Sequence, residues 1–264
     1  MTTISQNVFK KINVVDFDVI ISCGRKSVIP SIYLKKNTSK KIINIHIQDP
    51  KVNLTNFNYI IAPEHDGLFG KNVFSTKGAI HYLTKKEIDK NTDYLKNRLK
   101  IGKEYFLLIL GGPTKHYDYS DENILKILDL FNDLVIKNNL QGIVIPSMRT
   151  PKNIIELTKD RLSENSLIID SVDKKAYLSA LSLAKYISVT CDSTSMISEA
   201  ALTGKPIYIA DIPAKKNDRR IKKFRELFNE LNITKKLDNK LETWHYEILD
   251  ETSRIAKEIK KQLT

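Results

Sequence analysis

Cysteine is nearly missing from this chain: 264 residues contain two, Cys23 and Cys191, far apart and each on or beside an apolar run. That excludes a disulfide framework and any Cys-x-x-Cys metal or redox motif, and two buried thiols in a reducing compartment are expected. No uncharged apolar run reaches the ~18 residues that a membrane-spanning helix needs. Met1–Lys11 shows neither the apolar stretch nor the small-residue cleavage site of a secretory leader, so a cytoplasmic protein is expected. Glycine numbers only nine. The Gly-x-Gly-x-x-Gly fingerprint, the P-loop, Gly-x-Ser-x-Gly and His-Glu-x-x-His are all absent, which leaves a metal site and a dedicated cofactor unsupported.

Arginine is scarce as well. Of 43 basic residues eight are Arg, and the Lys majority is scattered along a chain of net charge +12. Nucleic-acid binders gather their cations on one face, so a scattered surplus reads as solvated surface and nucleic acid is not expected as a partner. A phosphorylated ligand or an anionic membrane surface suits the charge equally, and peripheral attachment to the inner face of a membrane stays open.

What is present is a succession of β-rich apolar runs and helical patterns. Strands are expected at Val19–Ser22, Ile42–Ile47, Tyr59–Ala62, Phe106–Leu110, Gly142–Ile145, Leu167–Ile169, Tyr186–Val189 and Ile207–Ile209. Helices are expected at Ser27–Leu34, Thr84–Leu99, Asp121–Lys137, Pro151–Leu162, Lys174–Ala184, Asn217–Asn232 and Glu242–Gln262. Continuous rather than alternating apolar strands favour parallel sheets covered on both faces. The alternation of strand and helix favours a doubly wound α/β fold. The charged stretch Thr84–Lys103 is the place for a domain boundary, giving residues 1–85 and 86–264. On Asn217–Phe228, Ile221, Phe224, Leu227 and Phe228 form one stripe among five cations. A core-facing helix is the favoured reading, and a membrane-surface helix the other.

In open α/β sheets ligands bind outside the carboxyl ends of the strands. The most informative such segment is Cys191-Asp192-Ser193-Thr194-Ser195-Met196-Ile197-Ser198-Glu199. It reads as a hydroxyl-rich turn opening a helix, whose N-terminal N–H groups suit a phosphate or diphosphate, with Glu199 one turn on to accept from a sugar hydroxyl. An ordinary capped helix gives the same pattern. Gly111-Gly112-Pro113-Thr114-Lys115-His116 follows another strand; two glycines allow close backbone approach, and a plain turn is the alternative. Pro146-Ser147-Met148-Arg149-Thr150 follows a third and carries one of the rare arginines, whose planar fork matches phosphate. Pro63-Glu64-His65-Asp66-Gly67 offers His65 and Asp66 as a general base, against the reading of a polar loop. Gln48-Asp49-Pro50 and Cys23-Gly24-Arg25-Lys26-Ser27 are weaker candidates.

At these residues the chain resembles a known family. Ile45-His46-Ile47-Gln48-Asp49-Pro50, Phe57 to Asp66, Gly70-Lys71-Asn72-Val73, Gly78-Ala79-Ile80-His81, the Gly111–His116 loop and the Asp192–Pro206 block follow in the order of the elongated-mitochondria family. That family comprises plant mitochondrial fission factors and their bacterial relatives. The resemblance runs from about residue 18 to 212. It implies two Rossmann-like domains of glycosyltransferase-B type and a nucleotide-sugar ligand. Its plant members sit on the mitochondrial outer membrane and recruit a dynamin-like GTPase. Members usually begin with a further strand, loop and helix before the segment matching Asp18, so a truncated N-terminal domain is expected here.

On this reading the chain is a glycosyltransferase-like protein with a nucleotide-sugar donor. Ser193, Thr194, Ser195 and Arg149 would hold the diphosphate, and Glu199 the ribose or sugar hydroxyls. Gly111, Gly112, Thr114, Ser147 and Asp192 would complete the donor site, and Asp66 or His65 would be the base. A non-catalytic membrane-surface or partner-binding module, or a nucleoside-diphosphate-sugar epimerase, are the alternatives on the same scaffold.

Overall fold

The computed structural model describes residues 17–263. They form two compact units: residues 78–252, and the preceding residues together with 253 onward.

The first unit is a four-stranded parallel sheet in the order β1-β2-β3-β4, formed by Val19–Cys23, Ile43–Ile47, Tyr59–Pro63 and Val73–Thr76. Helix α1 (Arg25–Lys36) crosses from β1 to β2, and Val28 of α1 packs with Phe57, Ile60 and Ala62. Helix α8 (Glu251–Leu263) belongs here from Ser253 onward: Arg254 Nη2 donates to the Ser75 carbonyl at 2.8 Å. Cys23, expected buried, is exposed at the end of edge strand β1; Cys191 is buried.

The second unit carries a six-stranded, all-parallel sheet. Its strands are β5 (Tyr105–Leu110), β6 (Gln141–Pro146), β7 (Ser166–Ile168), β8 (Tyr186–Thr190), β9 (Ile207–Ala210) and β10 (Thr234–Lys236), in the spatial order β10-β9-β8-β5-β6-β7. Counted within the unit this is 6-5-4-1-2-3, the doubly wound order, which reverses between β5 and β8. The inner strands are mostly apolar because both faces are covered; every residue of β6, β8 and β9 is buried. Helix α3 (Asp121–Lys137) shows why the intervening segments are helical. Ser120 caps it by accepting from Asn123 N, Asp121 and Glu122 sit in its first turn, and Ile124, Ile127, Leu128, Phe131, Leu134 and Val135 make one buried stripe. The remaining helices are α2 (Lys85–Lys90), α4 (Lys152–Leu162), α5 (Lys174–Leu183), α6 (Thr194–Ala201) and α7 (Arg219–Glu230).

Three expectations change. The helix expected over Thr84–Leu99 is α2 followed by a 3-10 stretch, Thr92–Arg98; Asn91 ends α2 by turning its side chain onto the Glu87 carbonyl. The helix expected from Glu242 starts only at Glu251. Residues before it run without regular structure because Trp244 is drawn into the core, its ring edge-on to Tyr208 and its Nε1 donating to the Asn232 carbonyl. Strands β4 and β10 were not expected; β10 reads Thr-Lys-Lys, the polar chemistry of a protected edge. On α7, Phe224 and Phe228 are fully buried with ring centroids 4.2 Å apart, so its apolar stripe faces the core. Among the described residues no helix is long and apolar enough to cross a membrane.

Candidate functional site

The loops leaving β5, β6 and β8 meet at the point where the strand order reverses. Asp192, just beyond β8, is the group around which they close. Its Oδ2 accepts from Gly112 N at 3.2 Å and from Arg149 Nη2 at 2.8 Å. Its Oδ1 accepts from the Tyr119 hydroxyl at 2.5 Å and the Thr190 hydroxyl at 2.8 Å. Arg149 also donates through Nη1 to the Gly112 carbonyl at 2.9 Å. The two glycines are required by this closeness. A Cβ on Gly111 would lie 2.3 Å from the Asp192 carboxylate, and one on Gly112 would lie 2.1 Å from the Arg149 carbonyl oxygen. Ser147 and Thr150 tie the β6 loop to the β5 loop, both hydroxyls donating to the Gly111 carbonyl. Burial and the neighbouring Asp192 charge push the Tyr119 phenol well above its ordinary range, so it remains a donor.

In front of this back wall lies a cavity of about 420 Å³. Ser147 and Arg149 line it from the β6 loop, Ser193, Ser195 and Met196 from the start of α6, and Glu199 from further along that helix. Ser193 caps α6, its hydroxyl accepting from Met196 N, and leaves the first-turn N–H groups without intrahelical acceptors. Glu199 is half-buried, and its Oε2 accepts from the Tyr177 hydroxyl at 2.7 Å. Burial pushes the Glu199 carboxyl upward, against the Tyr177 hydrogen bond and the field of His81. Burial and the Glu199 charge in turn hold Tyr177 protonated. The apolar side of the cavity comes from Ile109, Ile145, Met148 and Val172.

Of the residues singled out in the sequence, Ser147, Arg149, Ser193, Ser195 and Glu199 come together on this cavity. Gly111, Gly112 and Asp192 stand behind it. Thr114 is turned to its own loop, its Oγ1 accepting from His116 N and Tyr117 N. Thr194 is the first residue of α6, and its carbonyl accepts from the Ser198 hydroxyl. His65 and Asp66 lie in the first unit, in a 3-10 turn after β3, with Nε2 and Oδ1 3.6 Å apart. Asp173, Lys174 and Tyr177 also line the cavity and escaped the sequence reading. The loop after β7 ends strand-side like the other three, and that position was the signal for them. Among the described residues no three His, Cys, Asp or Glu side chains gather to hold a metal ion.

The family model described as Mitochondrial fission ELM1 matches residues 2–263. The chain belongs to that family. An uncharacterized protein of Rickettsia prowazekii is 27% identical, over 92% of this chain and 79% of its own length. The mitochondrial fission protein ELM1 of Arabidopsis thaliana is 22% identical, and the match takes in 93% of this chain but only 64% of the plant protein. Among solved structures, the UDP-GlcNAc 2-epimerase of Methanocaldococcus jannaschii aligns with a TM-score of 0.52 at 18% identity, over 92% of this chain and 77% of that one. The Neisseria meningitidis UDP-GlcNAc 2-epimerase, bound to UDP-GlcNAc, gives 0.52 at 16% identity over 92% and 76%. MurG of Acinetobacter baumannii gives 0.50 at 11% over 93% and 67%. This ELM1-family chain therefore has the α/β architecture of Rossmann-like units shared by sugar-nucleotide epimerases and glycosyltransferases of the B type.

Proposed function

We propose that the cavity of the second unit binds a nucleotide sugar, with the diphosphate at the N-terminus of α6 and Glu199 accepting from ribose or sugar hydroxyls. The observation that carries this reading is the convergence of Ser193, Ser195, Arg149 and Glu199 on one cavity at the reversal of the strand order. A helix N-terminus supplies N–H donors and a favourable dipole for an anion without a metal. Arg149 spends two nitrogens on Gly112 and Asp192 and keeps further donors; its side chain is 41% exposed. Similarly folded proteins solved with UDP-GlcNAc or UDP support the ligand class.

The reaction we assign is glycosyl transfer, in which stabilised charge on the departing nucleotide lowers the barrier. Asp66 or His65 is the proposed base, and a membrane-associated acceptor and peripheral attachment to an anionic surface go with this assignment.

A thermal-shift series of the full chain against UDP, GDP, CMP and their sugar conjugates tests the binding. A concentration-dependent rise in Tm with one nucleotide is expected from binding to the folded state. A flat response to all of them would reject the nucleotide site. Products then separate the chemistries: UDP released from UDP-GlcNAc only with an acceptor present marks transfer, the C2 epimer marks epimerisation, and unchanged ligand marks a binding module.

A further inference from the structure

Gly78-Ala79-Ile80-His81 runs without regular structure between β4 and α2, and its backbone is held in two places. Ala79 N–H donates to the Ser198 hydroxyl of α6 at 2.9 Å, and a Cβ on Gly78 would lie 2.9 Å from that same oxygen, so the strap passes tight against α6. At its far end His81 N–H donates to Thr252 Oγ1 at 3.2 Å, and that oxygen donates to the His81 carbonyl at 2.8 Å. The strap delivers the next residue, Tyr82, to the cavity, which it lines. Lys174 Nζ stands 4.5 Å from the Tyr82 ring centroid and is tied in turn to Glu87 at 2.9 Å. Tyr82 is nonetheless 64% exposed: an aromatic ring held in place and left open. Met148 and Val172, 89% and 60% exposed, line the same cavity and give it an apolar rim.

We propose that Tyr82 is the stacking platform for the base of the nucleotide bound in this cavity. This rests on the nucleotide-sugar reading for the ligand, and it fills the one part of a nucleotide to which that reading assigns no residue. Contacts give the direction. The phosphates are proposed at the start of α6, beside Arg149, with Glu199 one turn further on. Glu199 Oε2 accepts from Tyr177 at 2.7 Å, Lys174 lies one turn before Tyr177 on α5, and Lys174 stands against Tyr82. The strap reaches Tyr82 from Ser198, beside Glu199. Both routes to Tyr82 start from the second turn of α6 rather than from its N-terminus, which is the order of phosphate, ribose and base in a nucleotide. With the base on Tyr82, Glu199 takes the ribose rather than the transferred sugar. A ring already fixed by Lys174 loses little freedom when a base stacks on it. Every base has a π-face, so the platform supplies affinity without choosing among bases.

Calorimetric titration of the full chain with UDP, GDP, CMP and inorganic pyrophosphate reads the platform. The tightest-bound nucleotide should bind about tenfold more weakly to Tyr82→Ala, and within about twofold of wild type to Tyr82→Phe, which keeps the ring. Pyrophosphate has no base, so its affinity should be the same in all three proteins. Tyr82 is exposed, and both variants should keep the wild-type Tm. Unchanged nucleotide affinity in Tyr82→Ala would overturn the platform and leave the nucleotide site standing. Equal losses in Tyr82→Ala and Tyr82→Phe would assign the effect to the hydroxyl, and a parallel loss of pyrophosphate would assign it to the phosphates; either overturns the proposal.

Tyr82→Trp gives a spectroscopic arm. Its indole emission should be quenched by the nucleotide and left unchanged by pyrophosphate, with the wild type, whose single Trp244 is buried, as the blank. A nucleotide that binds without quenching, or equal quenching by pyrophosphate, would overturn the platform alone. A wild type that takes up none of the three nucleotides would overturn the nucleotide-sugar reading and the platform with it.

Discussion

Arg149 and Asp192 form a lopsided ion pair, with Nη2 and Oδ2 2.8 Å apart, the carboxylate side chain fully buried and the arginine side chain 41% exposed. The buried partner is the one with most to lose. Asp192 gathers Gly112 N, Tyr119, Thr190 and Arg149, so it organises the loops that the ligand is proposed to meet.

Removing the exposed partner should therefore destabilise more than neutralising the buried one. Arg149→Met leaves a buried carboxylate without its cation and should cost about 3 kcal/mol. Asp192→Asn keeps the shape and loses the charge and one acceptor, at about 1–2 kcal/mol. Urea denaturation of the two variants checks the order; equal or reversed losses would show that Arg149 faces a ligand site more than it serves Asp192.

The glycine pair admits no side chain. With contacts of 2.3 Å and 2.1 Å awaiting a Cβ, Gly111→Ala and Gly112→Ala should each lower stability by about 2 kcal/mol or more. Gly112→Ala should be the harsher, because its obstacle is backbone rather than side chain. Thermal denaturation is the measurement, and a near-neutral Gly112→Ala would mean the β5 and β6 loops are held less closely than the structure shows.

Stability of the first unit should fall in mild acid through His46. The imidazole is fully buried on β2, its Nδ1 2.8 Å from Ser22 Oγ and its Nε2 without a hydrogen-bond partner among the described residues. Burial pushes its pKa down, with Asp49 pulling weakly the other way. The unfolded chain therefore binds the proton more readily. Its contribution is complete above histidine's ordinary ~6.5 and is lost as pH falls below it. Between pH ~7 and ~5 the Tm should drop, and the drop should shrink in His46→Gln. An identical drop in that variant would place the acid sensitivity elsewhere.

Much of the architecture was legible because parallel strands covered on both faces are mostly apolar. The runs at Phe106–Leu110 and Tyr186–Val189 became β5 and β8, and the capped, striped Asp121–Lys137 became α3 unchanged. What failed was decided by single side chains or by edges. Asn91 ends α2 early, Trp244 pulls its segment out of helix, and β10 is polar because it is an edge strand. Reading the strand ends singled out Ser147, Arg149, Ser193, Ser195 and Glu199, which line one cavity. It passed over Tyr177 and Lys174 because the loop after the short strand β7 was not treated as a fourth. Nor does spacing reveal that Asp192 faces inward to Tyr119, 73 residues away in the chain.

Calorimetric titration of a UDP-sugar into the wild-type chain and into Glu199→Gln tests the central claim most directly. Saturable one-site binding by the wild type, weakened about tenfold in Glu199→Gln with Tm unchanged, is the predicted result, since a hydrogen bond to a charged group contributes roughly 1.5–3 kcal/mol. Wild-type affinity retained in Glu199→Gln, or no heat from either protein, would contradict it.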